Sequence, residues 1–242
     1  MTLEEAIAKI KPLDHNAMEI AQKRWDSIAK PLHSLGKLET LLIQIAGITG
    51  NAEVDLSRRG LIAMCADNGV VEEGVTQTGQ EVTAIVAENF LKYDTAVGVM
   101  CKQNHAEIFP VDMGMVTDTK VRTDHKIAYG TQNMTKGPAM TREQAVKGLE
   151  AGIDMVRELN DKGYRILATG EMGIGNTTTS SAVASVLLKQ PVEEMTGRGA
   201  GLTSEGLVRK INAIKKAIAL NEPDSEDAID VLAKVGGLDI AG

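Results

Sequence analysis

Hydrophobic residues near the start of the chain recur at the spacing of amphipathic helices. Three such runs lie within residues 3–45, and none of them alternates as a strand would. Pro12 and Pro31 separate the runs, because proline disrupts the interior of a helix. We therefore expect residues 1–55 to form a small helical domain.

From Gly60 onward, short apolar runs alternate with helical patterns. GLIAMCADNG (60–69) and AEIFPVDMG (106–114) are each typical of a buried strand that ends in an acidic residue and a glycine, and residues 164–168 predict a third strand. Helical periodicity follows each of them, and Thr141 is placed to cap one helix through a capping box with Gln144. The alternation predicts an α/β domain over residues 56–242, with a mostly parallel sheet and helices on both faces.

The C-terminal segment EDAIDVLAKVGGLDIAG predicts a helix, a stop at Gly236–Gly237, and then the start of another element. Natural domains rarely end where an apolar segment begins. We therefore expect this chain to lack the C-terminal part of its functional parent.

Composition excludes several classes of function. Aromatic residues make up only 2% of the chain, which argues against base-stacking platforms for nucleic acid. The net charge of -7 argues against a broad polyanion-binding face, and no apolar run is long enough to predict a membrane span. The four histidines lack metal-ligand spacing, so no metal site is expected, and the two cysteines predict reduced thiols in a cytoplasmic protein.

The stretch TGEMGIGNTTTSS (169–181) is the most specific candidate site. Gly173 and Gly175 let the backbone approach a ligand closely. Asn176 and Thr177 then open a helix whose free N–H groups favour an anion. The stretch is neither a P-loop nor a GxGxxG motif, and an ordinary tight turn remains open as an alternative.

Acidic turns and a second glycine cluster add further candidates. Asp67, Asp112 and Glu171 all fall at predicted strand ends, where parallel sheets gather their ligands. TGRGAGL (196–202) precedes a helix that carries Lys210, so two glycine turns and a cation could enclose one phosphate. The charge pattern alone favours a solvated basic face, made of Arg209, Lys210, Lys215 and Lys216.

Six segments occur together in an order that resembles a known family. They are RWDSIAKPLHSLGKLE, CADNGVVEEGV, QEVTA, GEMGIGNTTTSSA, TGRGAGL and VGGLDIAG. They resemble the nicotinate-nucleotide:dimethylbenzimidazole phosphoribosyltransferases over essentially the whole chain. The resemblance implies transfer of the phosphoribosyl group of nicotinate mononucleotide to a benzimidazole, giving α-ribazole 5′-phosphate and nicotinate for the nucleotide loop of cobalamin. It also implies a Rossmann-like sheet, a homodimer, and no metal or organic cofactor.

The same resemblance assigns the site residues. The implied phosphate- and nucleotide-binding set is Gly170, Glu171, Met172, Gly173, Ile174, Gly175, Asn176, Thr177, Gly199 and Lys210. Glu171 is expected to assist as an orienting or charge-stabilising group, whereas the principal catalytic base is expected beyond Gly242.

The aromatic-base pocket is expected around Thr78, Gln80 and Ile85. On pattern alone, Thr78 and Gln80 favour a helix cap over a pocket lining. Gly79 and Ile85 replace a proline and a glutamine of the family pattern, so the identity of the aromatic acceptor stays open.

Three functional hypotheses follow. The leading one is a shortened phosphoribosyltransferase that binds nucleotide weakly and turns over poorly or not at all. The alternative is a non-catalytic nucleotide- or phosphate-binding α/β protein. A purely structural domain leaves the joint occurrence of the six segments unexplained.

Overall fold

The computed structural model describes all 242 residues, which form two compact units. One unit comprises Glu4–Arg58, and the other comprises Met1–Leu3 together with Arg59–Gly242. The domain boundary predicted after residue 55 stays a prediction. None of the helices combines the length and apolar character needed to cross a bilayer. No group of three or more histidine, cysteine or acidic side chains is arranged to hold a metal ion.

The smaller unit is helical, as its periodicity predicts. Its helices are α1 (Leu3–Ala8), α2 (His15–Ser27) and α3 (Lys37–Thr49). The side chain of Asp14 caps α2 by accepting a hydrogen bond from the backbone N–H of Ala17 at 3.0 Å. Glu39 is buried and pairs with the Lys30 amine at 2.8 Å, and this contact lowers the pKa of the Glu39 carboxyl.

The larger unit is built on a parallel sheet of three strands in the order β2-β1-β3. The strands are β1 (Arg59–Ala66), β2 (Ala106–Gly114) and β3 (Ile166–Met172). The predicted parallel α/β class is therefore confirmed. β3 lies later along the chain than the predicted 164–168, because Tyr164 is buried in an edge-to-face contact with Phe109 instead of joining the strand.

Helices follow the strands in the predicted alternation. They are α4 (Glu81–Lys92), α5 (Ala96–Gln103), α6 (Arg142–Asp161), α7 (Asn176–Leu187), α8 (Val192–Met195), α9 (Ser204–Asn221), α10 (Ala228–Val235) and α11 (Leu238–Ala241), with a 3₁₀ turn at Gly69–Glu73. The predicted capping box of α6 is present, since the Thr141 hydroxyl accepts from the N–H of Gln144 and the Gln144 side chain accepts from the N–H of Thr141.

Alternating residues of β1 divide the core between the two faces of the sheet. Ile62, Met64 and Ala66 belong to the cluster formed with α6, α10 and α11. Ala63 and Cys65 belong to a second cluster, formed with α4 on the opposite face. Successive side chains of a strand point to opposite faces, so helices on both faces follow from this one apolar run.

Two glycines of α6 let the short helix α11 approach it closely. A methyl group at Gly148 would lie 2.7 Å from the side chain of Ala241, and one at Gly152 would clash with the backbone carbonyl of Gly242. Because α11 also touches all three strands, this close approach fixes its position over the sheet. The side chains of α11 are thereby held near the carboxyl ends of the strands.

Replacing Gly148 by alanine should lower the free energy of unfolding, because the added methyl group displaces α11. Replacing glycine by alanine in an exposed helix normally raises the free energy of unfolding by about 0.5–1 kcal/mol. A decrease for Gly148→Ala would therefore point to the contact with α11. Chemical denaturation of the Gly148→Ala variant checks this. Gly137→Ala is the control, since a methyl group there meets nothing within 4 Å; equal stability of both variants would contradict the packing of α11 on α6.

Candidate active site

The loop from Gly173 to Asn176 joins β3 to α7 at the carboxyl edge of the sheet. Gly175 has φ +96°, a left-handed conformation that favours glycine. The N–H of Ile174 donates to the Thr83 hydroxyl at 3.0 Å, and the N–H of Asn176 donates to the Gly173 carbonyl at 3.1 Å. Residues 173–176 are hereafter called the nucleotide loop, after the binding role that the sequence resemblance implies. The first of these bonds ties the loop to α4, and the second closes it upon itself.

A pocket of about 120 Å³ opens beside the nucleotide loop. It is lined by Thr76, Gln77, Thr78, Gly173, Ile174, Gly175, Asn176, Thr177, Ala200 and Leu202. The structure thus brings Thr78, the nucleotide loop and the second glycine cluster together around one cavity.

Lys210 lies inside the protein, at 1% exposure, next to this loop. Its amine donates to the Thr177 hydroxyl at 2.7 Å and to the Gly197 carbonyl at 3.2 Å, and it forms no ion pair. Burial lowers the pKa of this amine. The amine therefore has only neutral hydrogen-bond partners and no carboxylate partner within the chain.

The solvated-face interpretation of the basic residues is wrong for Lys210 and agrees with the exposed side chains of Arg209, Lys215 and Lys216. The buried stripe of α9 consists of Gly206, Lys210, Ala213, Ile214 and Ala217. The larger apolar residues Leu207, Ile211, Ile214 and Ile218 predict a neighbouring face of the helix. The most buried face is rotated from it, because the small side chains of α9 point inward.

Gly199 completes the surroundings of the amine. Its φ of +56° is left-handed, and a methyl group there would lie 2.8 Å from the Thr177 hydroxyl and 3.5 Å from the Lys210 amine. The guanidinium of Arg198 donates to the Leu202 carbonyl at 2.8 Å and closes this turn. The amine, the hydroxyl and the positive dipole end of α7 together form an environment that favours an anion.

Glu171 stands at the end of β3, directly before the nucleotide loop. Its carboxylate accepts a hydrogen bond from the side-chain amide of Asn176. Loss of solvent raises the pKa of Glu171, and the bond from Asn176 opposes that shift. The structure thus holds one carboxylate over the strand ends, oriented by the first residue of α7.

Asp67 and Asp112 are the other acidic residues predicted at strand ends. Both stabilise the segment that follows β2. Asp67 accepts from the N–H of Val116 at 2.8 Å, and Asp112 accepts from the N–H of Met115 at 2.7 Å. Asp112 also pairs with the Lys126 amine at 3.1 Å. Both carboxylates hold the segment that follows β2, and neither lines the pocket beside the nucleotide loop.

The residues predicted for an aromatic-base pocket lie in two places. Thr78 lines the pocket beside the nucleotide loop. Ile85 is 57% exposed and lines a separate surface pocket of about 350 Å³ with Thr117, Asp118 and Thr119.

The capping interpretation of Thr78 and Gln80 is wrong. Gln80 occupies the N-cap position of α4, but no side chain caps that helix. The amide of Gln80 instead donates to the backbone carbonyl of Asn68 at 3.1 Å. The Gln80 side chain thus binds the backbone just after β1 instead of capping the N-terminus of its own helix.

Sequence reasoning missed two buried polar residues behind the nucleotide loop, Asn68 and Asp239. The Asn68 amide donates to the Asp239 carboxylate at 3.0 Å, across 171 positions of sequence. Both belong to quoted segments, CADNGVVEEGV and VGGLDIAG, but no local pattern joins them. The one signal in the sequence was that each residue is a polar residue next to an apolar run.

Known proteins of one family match this chain. A family model described as "Phosphoribosyltransferase" matches residues 10–242. The nicotinate-nucleotide–dimethylbenzimidazole phosphoribosyltransferase of Ruminiclostridium cellulolyticum is 53% identical over 100% of this chain and 69% of its own length. The enzyme of the same name from Clostridium tetani is 48% identical over 99% of this chain and 67% of its own length.

A solved structure shows the same fold. The crystal structure of CobT from Thermus thermophilus is 36% identical and superposes with a TM-score of 0.84. The match covers 93% of this chain and 68% of the Thermus chain. On the family model, the relatives and this structural match, the chain belongs to the phosphoribosyltransferase family that includes these nicotinate-nucleotide–dimethylbenzimidazole enzymes.

Proposed function

We propose that this protein transfers the phosphoribosyl group of nicotinate mononucleotide to 5,6-dimethylbenzimidazole or a related aromatic base. The products are α-ribazole 5′-phosphate and nicotinate. The first of these supplies the lower-ligand nucleotide of cobalamin. The buried Lys210 amine, which has no carboxylate partner and lies beside the start of α7, is the observation that carries this proposal. The names of the curated relatives support the choice of substrates.

The phosphate of the donor binds between the Lys210 amine, the Thr177 hydroxyl and the N-terminus of α7. A bound phosphate supplies the counter-charge that the buried amine lacks, which makes this surface selective for an anion. Gly199 keeps the approach open, because any side chain there would enter the space between the hydroxyl and the amine. The remaining members of the proposed set are residues 170–172 at the end of β3 and residues 173–176 of the loop.

The chemistry then takes place at C1′ of the ribose. The bond from C1′ to the pyridine nitrogen breaks, and its electron pair neutralises the cationic ring, so nicotinate leaves without needing a proton. C1′ gains positive charge as this bond breaks, and the Glu171 carboxylate stabilises that charge. The benzimidazole nitrogen attacks from the opposite face, which converts a β linkage into an α linkage.

The second ring nitrogen of the benzimidazole loses its proton to a base. Glu171 is held by Asn176, and Asp67 and Asp112 are occupied by the segment after β2. We place the proton acceptor in the part of the relatives that has no counterpart here, since this chain spans 69% of the Ruminiclostridium enzyme. Residues 1–242 alone are then expected to bind the nucleotide and turn it over poorly or not at all.

The proposal includes a homodimer located in the cytoplasm. Apolar side chains exposed on the smaller unit, such as Leu32 at 67% and Ile48 at 65%, support an interface there. Both cysteines are free and buried, which agrees with a reducing compartment. Thr78, Gln80 and Ile85 remain the proposed neighbours of the aromatic base.

A non-catalytic phosphate-binding protein is the second candidate. The three acidic residues at the strand ends are each held by hydrogen bonds, which favours it. The two functions differ in one product: an enzyme forms an α-linked nucleotide from nicotinate mononucleotide and a benzimidazole, whereas a binding protein forms none.

Replacing Lys210 by methionine should weaken binding of nicotinate mononucleotide by about tenfold to a hundredfold. That range corresponds to the loss of a charged hydrogen bond, about 1.5–3 kcal/mol. Methionine fills a similar volume, so thermal unfolding should occur at an equal or higher temperature. Titration calorimetry measures the affinity. Lys216→Met, at an exposed position of the same helix, is the matched control, and equal affinities of both variants would remove Lys210 from the site.

Replacing Gly199 by alanine should abolish nucleotide binding, because the methyl group enters the phosphate space and the backbone is left-handed. Gly197→Ala is the matched control two residues away, where a methyl group meets nothing within 4 Å. Affinities for nicotinate mononucleotide and for inorganic phosphate should fall together in Gly199→Ala only. A Gly199→Ala variant that binds as well as the native protein would show that the anion lies elsewhere.

Replacing Glu171 by glutamine should remove the preference of the site for a cationic C1′ substituent. Nicotinate mononucleotide should bind the variant about tenfold more weakly, whereas ribose 5-phosphate should bind it unchanged. Competition titrations with the two ligands measure this ratio. Nicotinate release with protein in excess should also slow by more than the melting temperature changes; an equal loss of affinity for both ligands would indicate a structural role for Glu171.

A further inference from the structure

Asn68 and Asp239 form a polar pair inside the protein. Asn68 follows β1 at 0% exposure, and Asp239 lies on α11 at 2% exposure. The amide of Asn68 donates to the Asp239 carboxylate at 3.0 Å. The other oxygen of that carboxylate accepts from the N–H of Ile240 at 3.0 Å. No lysine or arginine pairs with Asp239, so the carboxylate relies on these neutral donors.

The nucleotide loop rests directly on this pair. A methyl group at Gly173 would clash with the Asp239 carboxylate, and one at Gly175 would lie 3.2 Å from the side chain of Asn68. The Asn68 amide also reaches the Ile174 carbonyl at 3.4 Å. Any movement of the pair is therefore transmitted to the turn that opens α7.

The same pair is joined to the loop before α4. The backbone carbonyl of Asn68 accepts from the Gln80 side chain at 3.1 Å. Thr83 on α4 accepts from the N–H of Ile174 at 3.0 Å. Asn68 thus touches both the nucleotide loop and the segment that carries the proposed aromatic-base contacts.

The charge of Asp239 has few compensating groups around it. The ionisable groups that face it are Glu171 on β3 and the Cys65 thiol on β1. The elements packed against the segment from Gly237 to Gly242 present uncharged groups to it: glycines of α6, Met113 of β2 and the Thr179 hydroxyl of α7. Burial, and then the negative charge of Glu171, raise the pKa of Asp239 to about 7, while the bond from Asn68 opposes the shift.

We propose that the Asn68–Asp239 pair sets the position of the nucleotide loop relative to the Gln80 loop, which makes Asp239 a positioning residue of the site. An ionised Asp239 accepts a stronger bond from Asn68 than a protonated one does, so the loop responds to the protonation of this carboxyl. The role in positioning substrates rests on the function proposed above. The coupling between pair and loop does not depend on a substrate.

The test follows the backbone amides of the nucleotide loop in the ¹⁵N-labelled native protein, without nucleotide, from about pH 5.5 to about pH 8.5. The amides of Gly173, Ile174 and Gly175 should shift with one midpoint near neutrality, shared with the side-chain amide of Gln80. The carboxyl carbon of Asp239 should titrate at the same midpoint. Loop amides that do not titrate in this range, or that titrate apart from Asp239, would overturn the proposal.

Two variants complete the test. Asp239→Asn should abolish the shared midpoint, whereas Asp67→Asn should retain it, because Asp67 bonds to the segment after β2. Persistence of the midpoint in Asp239→Asn would also overturn the proposal. If Asp239→Asn does not fold, Asn68→Ser removes the same bond and should separate the midpoint of the loop from that of Asp239.

Stability and affinity distinguish this proposal from the function on which it rests. The folded state holds the Asp239 proton more tightly than the unfolded chain does. The melting temperature of the native protein should therefore fall relative to Asp239→Asn as the pH rises from about 4 to about 7. Asp239→Asn should also weaken binding of nicotinate mononucleotide by about tenfold, with the affinity of the native protein tracking the same midpoint. A native protein that shows the titration but binds no nucleotide would refute the function and leave the coupling intact.

Discussion

The site depends on a lysine amine that is buried without a carboxylate partner. Removing a charge from water is costly unless it gains strong polar contacts, and Lys210 has only a hydroxyl and a carbonyl. The N-terminus of α7 adds positive potential beside this amine, which it reaches through the Thr177 hydroxyl. A methyl group at Gly199 would lie 2.8 Å from that hydroxyl and 3.5 Å from the amine, so only glycine leaves the space beside these donors open.

Environment sorts the acidic residues at the strand ends into different roles. Asp112 is neutralised by Lys126, and Asp67 is held by a backbone N–H. Glu171 is bonded only by the Asn176 amide and keeps its position beside the loop. Asp239 is enclosed and has no cation. Carboxyl groups in one region of the protein thus take different structural roles from their neighbours alone.

Local patterns in the sequence predicted most of the fold. The range of β2, the capping box of α6 and the start of α7 depend on neighbours within a few residues, and the structure confirms them. The parallel sheet followed from alternation, because strands separated by helices return in the same direction. The helix α5 was not foreseen, since its eight residues span only about two turns.

The site was less predictable because its decisive contacts are distant in sequence. The burial of Lys210 depends on how α9 is rotated against its neighbours, and the apolar stripe of that helix suggested a different face. Asn68 and Asp239 meet across the whole larger unit. No pattern in the sequence near Asn68 or near Asp239 indicates that the two residues are in contact. The family resemblance identified the segments that contain them but did not explain why those segments lie together.

Pocket size determines which part of the donor this surface can enclose. The cavity beside the nucleotide loop is about 120 Å³, smaller than the roughly 300–1,000 Å³ of most small-molecule pockets. In the function proposed above, it encloses the phosphate of the donor. Thr78 lines this same cavity whereas Ile85 lines a different pocket, so the proposed contacts of the aromatic base lie on separate surfaces. Their alignment then depends on the bonds that join those surfaces, from Ile174 to Thr83 and from Gln80 to Asn68. In the function proposed above, an in-line attack tolerates little misplacement, so these neutral contacts bear on the rate.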